Sequence, residues 1–435
     1  MRYYSLNNQS PEVDFTTATI HGLAPDKGLY FPAIIPQVDK SLITNIENIP
    51  DAEIALRVIL PYVGNAISIE KLYDIVRETI AFPIPLKRVH NNIFSLELFH
   101  GPTHAFKDIG ARFMSRCLGE FIKNGAASNK KVVVLVATSG DTGGAVANGF
   151  YKQEGINVVI LYPSGKVSQV QEAQLTGLGH NIHALEINGS FDDCQAMVKK
   201  AFNDTAINEI LFLTSANSIN IARWLPQQFY YFFAYKQWKQ KNLLPVISVP
   251  SGNFGNLAAG LLAYHSGLPV QHFVAACNAN NTFARYMERG IYEPHPAKHT
   301  YSNAMDVGDP SNITRVMALF GNDFKRIRQL VTAISISDEE ILHTIKNVYN
   351  EWQYMLDPHG AVGYHALEKY LVDHPGLKGI FLETAHPVKF PEVVERTIGE
   401  KIKIPQHLEA LLQEPKQSIF MEADFKNLKD YLLQF

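Results

Sequence analysis

The feature that most restricts the fold is an unbroken β-branched run, Val132-Val133-Val134-Leu135-Val136-Ala137, ending in Thr138-Ser139-Gly140-Asp141-Thr142-Gly143-Gly144. A strand with one face in water alternates apolar and polar residues. One that is apolar throughout must be covered on both faces, as in a parallel sheet flanked by helices. The glycine-rich turn leads into a helical pattern to about Gln153 and then a second apolar run, Ile156 to Tyr162. Strand, turn, helix and strand in that order make a right-handed βαβ unit. The pattern continues with a helix near 167–178, a strand at Ile182 to Ile187, a helix opened by Ser190 and a long helix from about Asn220 to Trp238. Val246-Ile247-Ser248-Val249 restarts a sheet and ends at Pro250. Ser337-Asp338-Glu339-Glu340 has the form of a capping box for a helix to about Trp352, and Ile380-Phe381-Leu382 is the last clear strand.

A chain of 435 residues has room for two or three packed units. The expected fold is α/β: two open, mostly parallel sheet domains with helices on both faces, plus a small N-terminal domain. Residues 1–90 form that cap, with a Gly/Pro-punctuated loop from Gly22 to Pro32 and helices at Ala52 to Leu60 and Ile69 to Thr79. Residues 91–240 form the first α/β half, 241–390 the second, and 391–435 a helical segment.

Composition narrows the function. Hydrophobic residues at 46% and charged residues at 19% describe an ordinary globular chain. A formal net charge of −3 supplies no basic field, so nucleic acid is not an expected partner. No apolar run approaches the ~20 residues of a membrane span, and the start, Met1 to Asn7, has no secretory apolar core, so a cytoplasmic protein is expected. Cys117, Cys194 and Cys277 are scattered without metal or disulfide spacing and read as buried thiols in a reducing compartment. Oligomeric state is not readable from this pattern.

The chemistry concentrates in the turns. His100-Gly101-Pro102-Thr103-His104-Ala105-Phe106-Lys107-Asp108 follows the strand-like run Ile93 to Phe99, and the pattern turns helical from Asp108 to Cys117. Lys107 thus stands at a strand-to-helix junction behind apolar Ala105 and Phe106. Partial desolvation there lowers an ammonium's pKa and makes a nucleophilic amine. Taken alone, it also reads as a surface lysine opening a helix. His100 and His104 have a four-residue spacing, but Gly101-Pro102 breaks the helix that a zinc pair needs and no third ligand is near, so no metal is expected. Ser251-Gly252-Asn253-Phe254-Gly255-Asn256 follows a strand and opens an apolar helix, a setting in which backbone N–H groups cradle phosphate. It lacks the Lys-Ser/Thr of a P-loop and the three-glycine dinucleotide spacing, which argues against nucleotides. Thr138, Ser139 and Thr142 offer hydroxyls and N–H groups to a second anion, such as a substrate carboxylate. Asp141 beside them can only accept while ionised, so helix cap, substrate contact and coupled proton all stay open. Thr384 ends a buried strand, where open α/β sheets bind ligands.

The lysine stretch closely resembles the lysine motif of the threonine synthases, pyridoxal-phosphate (PLP) enzymes of the tryptophan-synthase-β-like fold (fold type II). The resemblance continues in family order at Ala137–Gly143, Ser215–Asn220, Ser251–Asn256, Ser302–Val307 and Glu383–Pro387. It implies that Lys107 carries PLP covalently, that Ser251, Gly252, Asn253, Phe254, Gly255 and Asn256 hold its 5′-phosphate, and that Thr384 pairs with the pyridine nitrogen. It implies O-phospho-L-homoserine as substrate, with Asn217 and Arg223 in the segment that binds the substrate phosphate. Lys166, after the strand ending at Tyr162, is a second candidate cation read from the residues alone. The competing activity is a PLP phospholyase or dehydratase on another small amino-acid phosphate, although the dehydratases carry a different motif around their lysine.

Overall fold

The computed structural model describes residues 1–125, 130–240 and 242–435. Residue 241, the expected start of the second half, lies outside them. Two large sheets carry the molecule. A five-stranded parallel sheet runs in the order Ser418–Glu422, Ile182–Asn188, Ile156–Pro163, Lys131–Ala137, Leu211–Thr214. A six-stranded sheet runs in the order Val331–Ser335, His272–Cys277, Val246–Pro250, Gly379–Glu383, Ile93–Glu97, Leu86–Arg88, and only the last pairing is antiparallel. Val133, Val134 and Leu135 are fully buried, as an all-apolar strand in a covered sheet requires.

Sheet membership does not follow the order of the chain. The strand Ile93–Glu97 lies before the βαβ run in sequence, yet pairs in parallel with Gly379–Glu383, Glu97 opposite Glu383. The Lys107 loop therefore rises from the six-stranded sheet, against the expected cut that grouped residues 91–240. Parallel partners need not be neighbours in sequence, so local pattern does not reveal them. The segment 391–435, expected to be helical throughout, contributes the edge strand Ser418–Glu422, which pairs with Ile182–Asn188. Ile419 and Phe420 on that edge are exposed, so the strand lacks the buried apolar signature of its neighbours. The expected long helix at 220–238 is two helices, Ile221–Trp224 and Gln228–Gln237, joined by a 3-10 turn over Leu225–Gln227. Pro226 cannot donate a helical hydrogen bond, and the tighter turn accommodates it.

The N-terminal unit is anchored by buried polar bonds. Thr214 Oγ1 donates to the Ile20 carbonyl at 2.7 Å and Asn220 Nδ2 to the Thr19 carbonyl at 2.8 Å. Arg315, fully buried, stacks its guanidinium 4.3 Å from the Trp224 ring and donates to the carbonyls of Tyr30 and Ile219. The cap thus braces the segment that holds Asn217 and Arg223. Among the described residues, no helix is long and apolar enough to cross a membrane.

Candidate active site

Three adjacent strands set the site. Val246–Pro250, Gly379–Glu383 and Ile93–Glu97 lie side by side in parallel, so their C-terminal ends, about 5 Å apart, deliver the Ser251 turn, Thr384 and the Lys107 loop to one edge. The Lys107 loop is then tied to the Thr384 segment. Phe106 N–H donates to the Thr384 carbonyl at 2.8 Å, His386 N–H to the His104 carbonyl at 3.0 Å, and Ala105 forms a bridge with Ala385. Tyr230 OH donates to the Phe106 carbonyl from the other side.

Lys107 is the first residue of the helix Lys107–Lys123, its ammonium 4.5 Å from the Phe106 ring centre. Desolvation lowers its pKa to about 8; Asp141 opposes that shift while Lys389 and Arg223 add to it. Asp108 is buried and accepts from Thr103 N–H at 2.9 Å and Thr103 Oγ1 at 2.5 Å. It braces the loop from beneath. His104 adopts a left-handed φ of 55° and its Nδ1 lies 3.1 Å from the Phe99 carbonyl, while His100 Nε2 lies 2.7 Å from Glu97 Oε2. Among the described residues, no group of three or more His, Cys, Asp or Glu side chains is placed to hold a metal.

The turn Ser251–Asn256 is shaped as a cradle. Among the described residues, the backbone N–H groups of Gly252, Asn253, Phe254, Gly255 and Asn256 have no acceptor. Phe254 takes a left-handed φ of 60° and caps the helix Gly255–His265, so the free donors stand at a helix N-terminus. The side chains face away and hold the turn's shape. Ser251 Oγ donates to the Val249 carbonyl at 2.8 Å, Asn256 Nδ2 to the Pro250 carbonyl at 2.7 Å and Asn253 Nδ2 to Ser218 Oγ at 2.7 Å. A Cβ on Gly252 would come within 2.7 Å of the Met305 Cα, so the turn is pressed against the Ser302–Val307 segment. Thr384 is 6% exposed and, among the described residues, its hydroxyl has no partner.

The other sequence candidates fall into different settings. Thr138 Oγ1 turns back on its own loop and accepts from the N–H groups of Gly140 at 3.0 Å and Gly143 at 2.8 Å. Ser139 is exposed and Thr142 half-buried, and neither hydroxyl has a partner among the described residues. Asp141 is no cap: Gly140 takes that position and no side chain caps the helix. Burial alone would raise its pKa, but Lys389 and Lys107 hold the carboxyl well below the usual range. Arg223 is buried with its Nη1 on the Ala216 carbonyl, and its Nε has no partner among the described residues. Burial lowers its pKa to about 10. A Cβ on Gly110 in the Lys107 helix would lie 3.0 Å from Arg223 Nε, so the guanidinium packs on that helix. Asn217 is half-buried. Lys166 is exposed on its turn, and no contact among the described residues ties it to this cluster.

Sequence reasoning missed two groups of residues. Lys389 lies in the apolar setting Val388-Lys389-Phe390 and is buried against Asp141, Gln174 and Thr103. Asp357 and His359 lie in Asp357-Pro358-His359-Gly360, and Asp357 N–H donates at 2.9 Å to Oε1 of Glu383, the residue before Thr384. His359 Nε2 accepts from Ala304 N–H at 3.1 Å, so its Nδ1 is the protonated nitrogen that meets Asp357 Oδ1 at 2.5 Å. Glu383 next to Thr384 is fully buried; desolvation and the Asp357 charge raise its pKa and keep it protonated. Aspartate before proline at a helix start was the available signal, since such a residue caps the helix as Asp357 does.

These groups fit PLP by their own chemistry. An amine of lowered pKa suits an aldehyde, unpaired N–H groups at a helix start suit a phosphate, and a free hydroxyl suits a pyridine nitrogen.

Family comparisons agree. A model described as pyridoxal-phosphate dependent enzyme matches residues 77–379, threonine synthase N terminus matches 2–80, and threonine synthase, C-terminal, matches 360–432. The threonine synthase of Haemophilus influenzae is 44% identical over 435 residues, covering all of both chains. That of Escherichia coli K12 is 42% identical over 435 residues, covering 100% of this chain and 99% of the relative. The crystal structure of threonine synthase from Escherichia coli superimposes with a TM-score of 0.91 at 41% identity over 100% of both chains. The PLP-bound threonine synthase from Brucella melitensis gives 0.92 at 33% identity, over 100% of this chain and 99% of that one. Agreement from end to end, across all the turns that gather at the strand ends, shows that this chain belongs to the threonine synthase family of PLP-dependent enzymes.

Proposed function

We propose that this chain is a threonine synthase, which converts O-phospho-L-homoserine and water into L-threonine and phosphate by γ-elimination and β-addition, the last step of threonine biosynthesis. The observation that carries the reading is the full-length relationship to threonine synthases, joined to a lysine of lowered pKa at the shared strand ends. In this reading Lys107 would hold the cofactor aldehyde, and its amine would be free to move protons once the substrate is bound. PLP, once bound, supplies the electron sink for negative charge at the substrate carbons. Lys107 Nζ would then take the Cα proton and assist removal of a proton at Cβ, Cγ would gain a proton as it becomes the methyl group, and a pKa of about 8 keeps both directions accessible near neutrality. Phosphate leaves from Cγ and water adds at Cβ. The N–H groups of Gly252 to Asn256 would hold the cofactor phosphate, and the Thr384 hydroxyl would pair with the ring nitrogen. A hydroxyl there leaves that nitrogen largely unprotonated and moderates the sink.

Arg223 with Asn217 receives the substrate phosphate, a role supported by the unpartnered Nε of a buried guanidinium. Arg223→Ala is expected to lower kcat/KM by about 2–5 kcal/mol, with Lys restoring only part. Ser139 and Thr142 remain available to the carboxylate; Thr138 shapes their turn. Lys166 is the weaker cation candidate. The buried, unpaired thiols of Cys117, Cys194 and Cys277 support a reducing, cytoplasmic setting. Assays with O-phospho-L-homoserine and O-phospho-L-serine test the function. Phosphate and threonine released in equal amounts from the first substrate support it. Phosphate without threonine, or preference for the second, would make the chain a phospholyase.

A further inference from the structure

Lys389 has no exposed surface, and its ammonium has three N–H groups and three acceptors. These are Asp141 Oδ1 at 2.8 Å, the Thr103 carbonyl at 2.8 Å and Gln174 Oε1 at 3.0 Å. They come from the turn after Lys131–Ala137 of the five-stranded sheet, the Lys107 loop of the six-stranded sheet, and the helix Gln169–Thr176. Gln171 Nε2 also donates to Asp141 Oδ1 at 2.9 Å, and Gln174 Nε2 to the Thr103 carbonyl at 3.1 Å. Thr103 in turn donates twice to Asp108, next to Lys107. One buried cation therefore fixes the loop of the reacting amine to a carboxylate of the opposite sheet. Among the described residues, no donor reaches the second Asp141 oxygen, Oδ2. Gly140 makes room for this arrangement: its φ is +131° and a Cβ there would lie 2.5 Å from the Gln171 amide carbon.

Stability alone is a poor account of such a pair. Well-packed apolar residues of similar volume often do as well as a buried ion pair, or better. We propose that Lys389 is a positioning residue for the reaction: it fixes the Asp141 carboxylate as counter-charge to the Lys107 amine and joins the two sheets there. Four charged groups act on that amine. Asp141 and Asp357 favour its ammonium form, and Lys389 and Arg223 disfavour it. Removing Asp141 and Lys389 singly must therefore move the amine in opposite directions, and removing both must nearly restore it. A purely structural tie would produce no such sign reversal.

The inference rests on Lys107 being the reacting amine, and the test below reads that amine without cofactor or turnover. Apoenzymes of the wild type, Asp141→Asn, Lys389→Met and the double variant are acetylated with a trace reagent across a pH series. Mass spectrometry of the Lys107 peptide gives each titration midpoint. From near 8 in the wild type, the midpoint should fall by about one pH unit in Asp141→Asn and rise by about one in Lys389→Met. It should return to within about 0.3 in the double variant. Midpoints that move together, or an unmoved Asp141→Asn, would overturn the proposal. If Lys389→Met does not fold, the double variant, which buries no unpaired carboxylate, takes its place, and Asp141→Asn decides alone if neither folds. Discovery of the cofactor on another lysine would remove the reading of Lys107 without altering these midpoints.

Discussion

Two glycine-rich turns follow buried parallel strands in this molecule, and they are open to different degrees: Ser251–Asn256 keeps an unbroken run of unpaired N–H groups, whereas Thr138–Gly144 keeps only those of Ser139, Asp141 and Thr142 among the described residues. In Thr138–Gly144 the Thr138 hydroxyl occupies the N–H groups of Gly140 and Gly143, and the ionised Asp141 stands in the turn itself. In Ser251–Asn256 the side chains hydrogen-bond outward, no charge intrudes, and the N–H groups from Gly252 to Asn256 have no acceptor among the described residues. Both look alike as sequence. What separates them is which donors the turn has already satisfied from within, and the sign of the charge it carries.

The largest effect should come from closing the open cradle. Gly252→Asp puts a Cβ 2.7 Å from the Met305 Cα and 3.0 Å from the Ala304 carbonyl oxygen, and adds a carboxylate. PLP affinity of the apoenzyme, followed by absorbance titration, should fall at least about 100-fold, or ~3 kcal/mol or more. The charged turn should respond instead in stability. Asp141→Asn strips Lys389 of its counter-ion and should lower unfolding free energy by about 3 kcal/mol at neutral pH in denaturant titrations. Because the folded carboxyl titrates well below its ordinary value of 3.8, that deficit should persist down to about pH 4 and shrink only below it. A deficit that closed between pH 7 and 5 would contradict an ionised Asp141.

Gly140→Ala sharpens the same contrast. Its φ of +131° and the Gln171 amide carbon at 2.5 Å should destabilise the fold by about 2 kcal/mol, with PLP affinity changed less than about threefold. The smallest effect belongs to Gly255→Ala. Its Cβ would meet Asn312 Nδ2 at an ordinary 3.5 Å, and the position is the first of a helix. PLP affinity should stay within about twofold and stability should rise by a few tenths to about 1 kcal/mol. A large loss there would mean that the cradle tolerates no added atom on either glycine, and the difference between Gly252 and Gly255 would vanish.

The legible parts of this molecule were local. Strand-turn-helix junctions at Thr138, Ser251 and Lys107 can be read because glycine, proline and β-branched runs act on their immediate neighbours. The pairing of Ile93–Glu97 with Gly379–Glu383 could not, since about two thirds of the chain separates the partners. Lys389 stayed hidden for the same reason: a lysine between Val388 and Phe390 acquires its meaning only when Asp141, Gln174 and Thr103 are brought around it. Thr138 was read as a ligand hydroxyl, and the structure uses it to close its own turn. Arg223 was expected as a phosphate-binding cation without any sign of its burial, and folding packs it against the Lys107 helix.

The central claim is that Lys107 is the amine that carries the cofactor, delivered to the strand ends beside the open cradle. Borohydride reduction of the PLP-loaded protein, followed by peptide mapping, tests it directly. The account predicts one modified peptide, with the added cofactor mass on Lys107 and loss of the visible absorption band. Cofactor mass on Lys389, Lys166 or any other lysine, or no covalent adduct in a protein that still binds PLP, would contradict it.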